Sequence, residues 1–405
     1  MASEPASCAA APKNAVTFVK TPGTPFAAVP SSDGCWVFVG LTRSRKLAAF
    51  RRAGGELKLQ DTVPLPGPPT GMVLTHDGQY LLAATGDSVT VVDVAALTHG
   101  NPHPPVFTIY GDNFEGAIYV NVTRDDDYLF VADEGAGAIT VVNLKKTRAS
   151  DFKTPVIVGD ISTGDAPIAV TLSPDGKRLY STSELASGLS GITTSCTTGP
   201  PGEIEVIDVA RAERDPARSV LSLVPGGCSP VRLILSADGA TAYVTARGQD
   251  DVLAFDTARL VNDPAHALLG RVPAGAAPVG VALAAGRLIV ASSNRFGGGR
   301  ASQHLTTLSS DWRTWGHGTA VAAQINAGAF PREERLSPDG KTLYVTNFIS
   351  QQLECPGIVG AMNSRTSAWH PFKNLSRLWR IAKAAGDRSR PASYCLMRAS
   401  RTSAT

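Results

Sequence analysis

Apolar residues run along this chain in short stretches, each closed by a polar turn, and the turns recur at a fixed distance from a preceding proline. A proline is followed eight positions later by Asp-Gly at Pro25 to Asp33-Gly34, Pro69 to Asp77-Gly78, Pro167 to Asp175-Gly176, Pro230 to Asp238-Gly239 and Pro331 to Asp339-Gly340. Two further copies keep the phase: Ala117 to Asp125-Asp126 lacks the Pro and Gly, and Pro278 reaches Ala285-Gly286 one residue sooner. Each unit reads strand, turn, strand, loop, strand. In the fourth, Ile168 to Leu172 precedes Ser173-Pro174-Asp175-Gly176, then come Leu179 to Thr182 and Ile204 to Ile207, ending at Asp208. Proline presets φ in such a turn and glycine supplies the positive φ.

A lone sheet of this kind has two faces to bury, so units repeating every roughly 45 residues must stack on one another, and radial stacking closes a ring that protects the edges. The pattern therefore predicts an all-β, seven-bladed propeller of four-stranded blades. The strand from Asn14 to Lys20 has no place in the first blade and is expected to complete the last one, tying the ring shut. Residues 14–354 make up the propeller in this reading. Residues 355–405 form a basic tail, read as disordered or as an aberrant gene end, because Gln351-Gln352-Leu353-Glu354 runs into Cys355-Pro356-Gly357 where a strand ending in Asp is expected.

Composition agrees with this picture. The 405 residues are 43% hydrophobic and only 18% charged, with 39 Gly and 28 Pro, as suits an all-β chain full of turns. The net charge of +3 divides unevenly: from Cys355 onward nine Lys or Arg face only Asp387, so the preceding body is mildly acidic and a poor match for nucleic acid. No apolar stretch reaches 18 residues, so no membrane span is expected. Met1 to Pro12 has neither the basic start nor the apolar run of a secretory signal.

The residues after Ser337-Pro338-Asp339-Gly340, Leu343-Tyr344-Val345-Thr346-Asn347, resemble the Tyr-Val-Thr-Asn repeat of the YVTN propellers, which are grouped with seven-bladed lactonase-like propellers. The resemblance covers about residues 14 to 354. It implies the propeller fold, and it implies an activity only for those members that are similar to 6-phosphogluconolactonase.

In a propeller, the loops entering the inner strands and the loops after the second strands open on one face around the central channel. Two residues after the proline, the seven units carry Ala27, Gly71, Tyr119, Ala169, Arg232, Gly280 and Glu333. Four are small, as crowding near the axis requires. Tyr119, Arg232 and Glu333 break that rule, with Arg332 beside Glu333 and Glu115 just before the third inner strand. The loops after the second strands add Asp133, Glu134, Glu184, Arg247, Asn294, Arg295 and Asn347.

Such a mouth suits a small anionic or lactone ligand. An arginine fork would hold the developing oxyanion while Glu333 or Glu115 steers water. The ligand-binding set is Tyr119, Asp133, Glu134, Glu184, Arg232, Arg247, Asn294, Arg332 and Asn347. A second reading stands beside it: Arg232 and Glu333 form a structural ion pair across the channel, and the chain is a non-catalytic propeller that binds a protein partner through its loops. The sequence carries no Gly-x-Ser-x-Gly, no recognisable Ser-His-Asp signature and no phosphate-cradling loop, Gly297-Gly298-Gly299 lacking the strand-to-helix setting.

No cofactor is expected, and no metal: the six cysteines have no C-x-x-C spacing, and His99 and His103 flank Gly100-Asn101-Pro102. Cys196, in the long insertion Leu185 to Gly202, and Cys228 fall on one face of adjacent blades, so they are either a disulfide or two free thiols. A bond places the chain in a secreted or extracytoplasmic compartment and free thiols in the cytoplasm. The acceptor patterns at Asn121 and Asn374 lie in a strand and in the tail and are discounted. The protein is expected to be a monomer.

Overall fold

The computed structural model describes residues 8, 16–53, 55–101, 103–111, 114–187, 196, 199–295, 303–317 and 320–358 of the chain. They form seven four-stranded antiparallel sheets, with every described blade lying in one compact unit. The inner strands are Pro25–Pro30, Met72–Leu74, Ala117–Val122, Asp165–Leu172, Pro230–Leu235, Pro278–Ala284 and Pro331–Leu336. Each of the first six blades takes its four strands consecutively from the chain. Blade 7 takes Pro331–Leu336, Leu343–Asn347 and Gln352–Pro356 and then Val16–Lys20 as its outer strand, with Val16 opposite Pro356 and Lys20 opposite Gln352. The predicted closure by the N-terminal strand is thus observed.

The segment that looked aberrant from the sequence carries on the fold. Gln352–Pro356 is the third strand of blade 7, and Ile358 is buried in the cluster with Leu343 and Val345. The propeller therefore runs beyond the expected boundary at 354. The expectation of a terminal Asp fails here for a physical reason. In blades 2 to 5 the third strand ends in Asp93, Asn143, Asp208 or Asp256, whose side chain accepts a hydrogen bond from the backbone N–H three residues on and caps a short helix. Those helices lead to the fourth strand. In blade 7 the fourth strand comes from the other end of the chain, so no helix needs starting.

The repeat can be read bond by bond. In six turns a Ser or Thr hydroxyl donates to the Asp two residues later: Ser31 to Asp33, Thr75 to Asp77, Thr123 to Asp125, Ser173 to Asp175, Ser236 to Asp238 and Ser337 to Asp339, at 2.5 to 2.6 Å. The following glycines have φ between 67° and 74°. In the third turn Asp126 adopts φ 59° instead, and its carboxylate accepts from the amide and Nδ1 of His76 in the neighbouring turn.

The Thr of the Tyr-Val-Thr-Asn pattern joins blade to blade. Thr182 donates to the Val231 carbonyl at 3.0 Å, Thr245 to Val279 at 2.9 Å and Thr346 to Phe26 at 2.8 Å, in each case to the residue just after the proline that opens the next inner strand. The last of these bonds links blade 7 to blade 1. The inner strands start with an irregularity in register, as between Pro230 and Leu233 or Pro331 and Glu334. Such a bulge re-aims a side chain. The same Thr hydroxyls accept from the re-aimed backbone, Thr245 from Arg232 N at 3.0 Å and Thr346 from Glu333 N at 3.1 Å.

Crowding at the axis is as expected. A Cβ on Gly71 would lie 2.7 Å from the Tyr119 Cα, and one on Gly280 would lie 2.6 Å from the Arg332 carbonyl oxygen. Removing residues 1–20 strips the outer strand from blade 7 and bares the edge of Gln352–Pro356, a template for association. With Cys35→Ser to leave no unpaired thiol, we expect Tm to fall by roughly 5 °C or more and light scattering to show association. An unchanged Tm with monomeric scattering would show that closure by this strand contributes nothing.

Candidate functional site

The bulged starts of the inner strands bring Tyr119, Arg232 and Glu333, from blades 3, 5 and 7, into one buried cluster at the channel. Arg232 Nε donates to Glu333 Oε1 at 2.8 Å and Nη2 bonds the same oxygen, while Nη1 lies 3.3 Å from the carbonyls of Ile168 and Val231. Its guanidinium stands over the Tyr119 ring, 4.5 Å from the centroid, and the Tyr119 hydroxyl accepts a bond from Arg335. Arg232 is 5% exposed and Glu333 3%. Burial works against the charge on Arg232, but the Glu333 carboxylate overcomes it and raises the pKa. Of the two readings of these residues, the geometry is that of the structural pair. Glu333 is the counter-ion of Arg232, which is a different task from steering water.

Arg335 was missed in the sequence, although it lies two positions beyond Glu333, and side chains two apart share a face of a strand. Phe26 was missed as well. Arg332 is partly exposed, stacks on the Phe26 ring at 3.8 Å, and has no ion-pair partner among the described residues, its buried Nε forming no hydrogen bond. Burial, and then the neighbouring Arg232, lower its pKa to about 9.

Beside it, Arg247 pairs with Glu184 at 2.5 Å, both largely buried. Glu134 is reached by solvent, yet protein surrounds enough of it to raise its pKa by desolvation. The Glu184 charge adds to that rise, and Arg332, Arg247 and Arg295 oppose it. Five charged groups thus act on one another at the mouth: three guanidiniums, of Arg247, Arg295 and Arg332, against the carboxylates of Glu134 and Glu184.

The remaining candidates separate from this group. Glu115 is exposed on the rim, and its carbonyl accepts from Gly135 N at 2.7 Å. Asn294 sits at φ 47°, half-buried, with its amide bonded to the Ala276 carbonyl. Asp133 and Asn347 are fully buried inside their blades rather than facing the mouth. Each ends a second strand and meets the third strand: Asp133 accepts from Thr140 at 2.7 Å, and Asn347 donates to Glu354 at 2.9 Å. Blades 2 and 4 have the same polar rung, Thr85 with Thr90 at 2.9 Å and Ser183 with Glu205 at 2.6 Å. In the sequence these rungs cannot be told from loop residues, because a strand's last residue and a loop's first look alike.

Cys196 is bonded to Cys228, with Cα atoms 5.7 Å apart. A second disulfide, Cys8 to Cys35, was not foreseen, and Cys355 is a buried free thiol. Most of the insertion around Cys196, the Gly297-Gly298-Gly299 loop and the tail from residue 359 lie outside the described residues. Among the described residues no three His, Cys, Asp or Glu gather as a metal site, and no helix is long and apolar enough to cross a membrane.

A seven-bladed propeller with an arginine-rich mouth is the class that fold and site define. Residues 112–295 match the family model for Lactonase, 7-bladed beta-propeller. The match holds Glu134, Glu184, Arg247 and Arg295; Arg332 lies beyond it. Among curated relatives, the chain is 27% identical over 191 residues to a 6-phosphogluconolactonase of Cronobacter sakazakii, covering 47% of this chain and 55% of that one. It is 26% identical over 174 residues to a 6-phosphogluconolactonase of Erwinia tasmaniensis, covering 42% and 51%. The chain thus spans about half the length of the curated relatives it matches. Solved structures of similar fold include the Kuenenia stuttgartiensis hydrazine synthase, with TM-score 0.63, 20% identity and coverage of 84% of this chain and 97% of that one. Another is a mitotic checkpoint complex, with TM-score 0.62, 12% identity and coverage of 88% and 96%.

Two outcomes test this geometry. Arg232→Ala leaves Glu333 buried without its counter-ion, and urea denaturation is expected to show a loss of about 3–5 kcal/mol, whereas Arg232→Met with Glu333→Leu recovers most of it. Losses under 1 kcal/mol in the single variant would show that the pair is not desolvated. Burial also pushes the Asp133 and Glu205 carboxyls each up to about 7. A carboxyl raised in the folded state confers stability that is complete below the unfolded value of about 4 and lost as pH rises through the folded value. Unfolding free energy is therefore expected to decline between pH 4 and 7, less steeply in Asp133→Asn and Glu205→Gln. A decline as steep in both variants would place the cause elsewhere.

Proposed function

We propose that the protein hydrolyses an anionic sugar lactone at the channel mouth. The observation that carries the reading is the surplus of guanidinium there, above all Arg332, which no carboxylate of the described residues pairs. Arg332 and Arg295 would hold a phosphate or carboxylate of the ligand, for which the planar fork is suited. The matched relatives carry the name 6-phosphogluconolactonase, and a phosphorylated lactone is the ligand class that combines both features.

Glu134 takes the place that the sequence assigned to Glu333 or Glu115. Among the described residues it is a mouth carboxylate without a direct salt bridge, and its raised pKa makes it a better base than an ordinary carboxylate. In the proposed step it takes a proton from water as the water oxygen bonds to the lactone carbonyl carbon. The oxyanion faces Arg247, then the ring C–O bond breaks and the leaving alkoxide takes the proton back from Glu134, giving the hydroxy acid. The two disulfides support an oxidising compartment.

Hydrolysis of 6-phosphogluconolactone and of unphosphorylated gluconolactone, corrected for spontaneous opening, tests this. We expect Arg332→Ala to raise KM for the phosphorylated lactone about tenfold, the equivalent of about 1.4 kcal/mol, and Glu134→Gln to lower kcat about a hundredfold or more. The acid limb of kcat/KM should lie above the ordinary carboxylate range. Glu184→Gln should move it to lower pH, since removing that carboxylate removes a cause of the rise. No turnover of either lactone, with no thermal shift by either, would overturn the proposal and favour a propeller that binds a protein partner.

A further inference from the structure

Between blades 6 and 7 the interior holds a group of oxygen atoms for which the described residues supply too few donors. Glu334, on the inner strand of blade 7, is 3% exposed, and neither of its carboxylate oxygens has a hydrogen-bond partner. Glu354, on the third strand, is fully buried. Its Oε2 accepts from Asn347 Nδ2 at 2.9 Å and from Gly328 N at 3.2 Å, which leaves Oε1 with none. Asn347 is also fully buried, and with its amide nitrogen committed to Glu354 its Oδ1 is bare as well. Turning the Asn347 amide over does not help, because it would set oxygen against a carboxylate.

The side chains that carry these atoms share one face of the blade-7 sheet. Glu334 pairs with Val345 across the sheet and Val345 with Glu354, so all three share a face, and Val345 packs with Ala291 and Leu305 of blade 6. The Glu334 Cγ lies against Gly280, 3.2 Å from where a Cβ would stand. Among the described residues neither carboxylate forms an ion pair, and the backbone amide of Ala282 is the donor that lies toward Glu334. Arg332, next but one on the strand, is turned to the Phe26 ring of blade 1.

Four buried acceptors, two of them on a carboxylate that no ion pair of the described residues balances, are costly to leave as they stand. We infer that Glu334, Glu354 and Asn347 form a structural site for a hard divalent cation, with calcium as the best match. Two carboxylates balance a divalent charge, and the donors are all oxygen. Calcium accepts irregular oxygen sets and would complete its shell of about six to eight ligands from neighbouring carbonyls or water, whereas magnesium holds to a near-ideal octahedron. The site would pin blade 7, whose inner strand also presents Arg332 and Glu333 to the mouth, onto blade 6.

The test uses the full chain, treated with a chelator and dialysed, then titrated with calcium alone, magnesium alone or potassium alone. Calcium at a hundredfold excess over its Kd is expected to raise Tm by about 2 to 5 °C, with one calcium retained per chain by elemental analysis after dialysis. Glu334→Gln places an amide donor among the acceptors, so it is expected to fold in chelator with a Tm at or above that of the unsubstituted chain and to lose the calcium response. Glu354→Gln serves if that variant does not accumulate. A chain indifferent to all three cations, or a calcium response that survives both substitutions, would overturn the assignment; the first result would mean that the site is satisfied by a proton on Glu334.

Discussion

The threonine hydroxyl at the end of the second strand is the contact on which the rest of this propeller depends. Thr245 and Thr346 each accept from the bulged backbone of their own inner strand and donate to the opening carbonyl of the next blade. One small side chain thereby holds the irregular start of a strand and the seam between two sheets. A bulge forfeits ladder hydrogen bonds, and a buried amide without a partner is costly. The hydroxyl meets that need and so permits the inner strand to aim a large side chain into the channel. Arg232 and Glu333 are the two residues aimed in this way.

That arrangement explains what the sequence disclosed and what it hid. The Pro-to-Asp-Gly spacing is legible because each of its residues answers a local demand, of turn geometry or of a hydroxyl-to-carboxylate bond, that a linear pattern records. The closing strand was legible by its lack of any other partner. Asp133 and Asn347 were misplaced at the mouth because the decision between loop and rung is made by the third strand, seven residues further on in both cases. The strand Gln352–Pro356 was misjudged because its sequence lacks the capping Asp, whose purpose is a helix that blade 7 does not have.

For the site, the sequence picked out Arg232, Glu333, Glu134, Glu184, Arg247 and Arg332 as residues near the channel, and it could not divide them. Division requires distances. At 2.8 Å and almost without solvent, Arg232 and Glu333 spend their charges on each other, helped by Tyr119 and Arg335. Arg332, one residue away from Glu333, has an aromatic ring for a neighbour where Arg232 has a carboxylate. Both lie in the irregular start of the inner strand, where the backbone aims each side chain separately, Arg332 at a ring and Glu333 at its counter-ion.

The same sorting applies to the whole charge pattern of the channel end. Charges that the fold itself neutralises stabilise the ring and leave nothing for a ligand, whereas a guanidinium held in place by stacking keeps its hydrogen-bond donors free. Stacking on Phe26 orders Arg332 without consuming its charge. A group that is ordered but not neutralised binds an anion at little further entropic cost, since its rotamer is already set. An exposed arginine of the same charge would have to be ordered by the ligand, and a paired one would have to be released from its partner. Arg332 needs neither, which is why the functional reading rests on it more than on the shorter and stronger contact between Arg232 and Glu333.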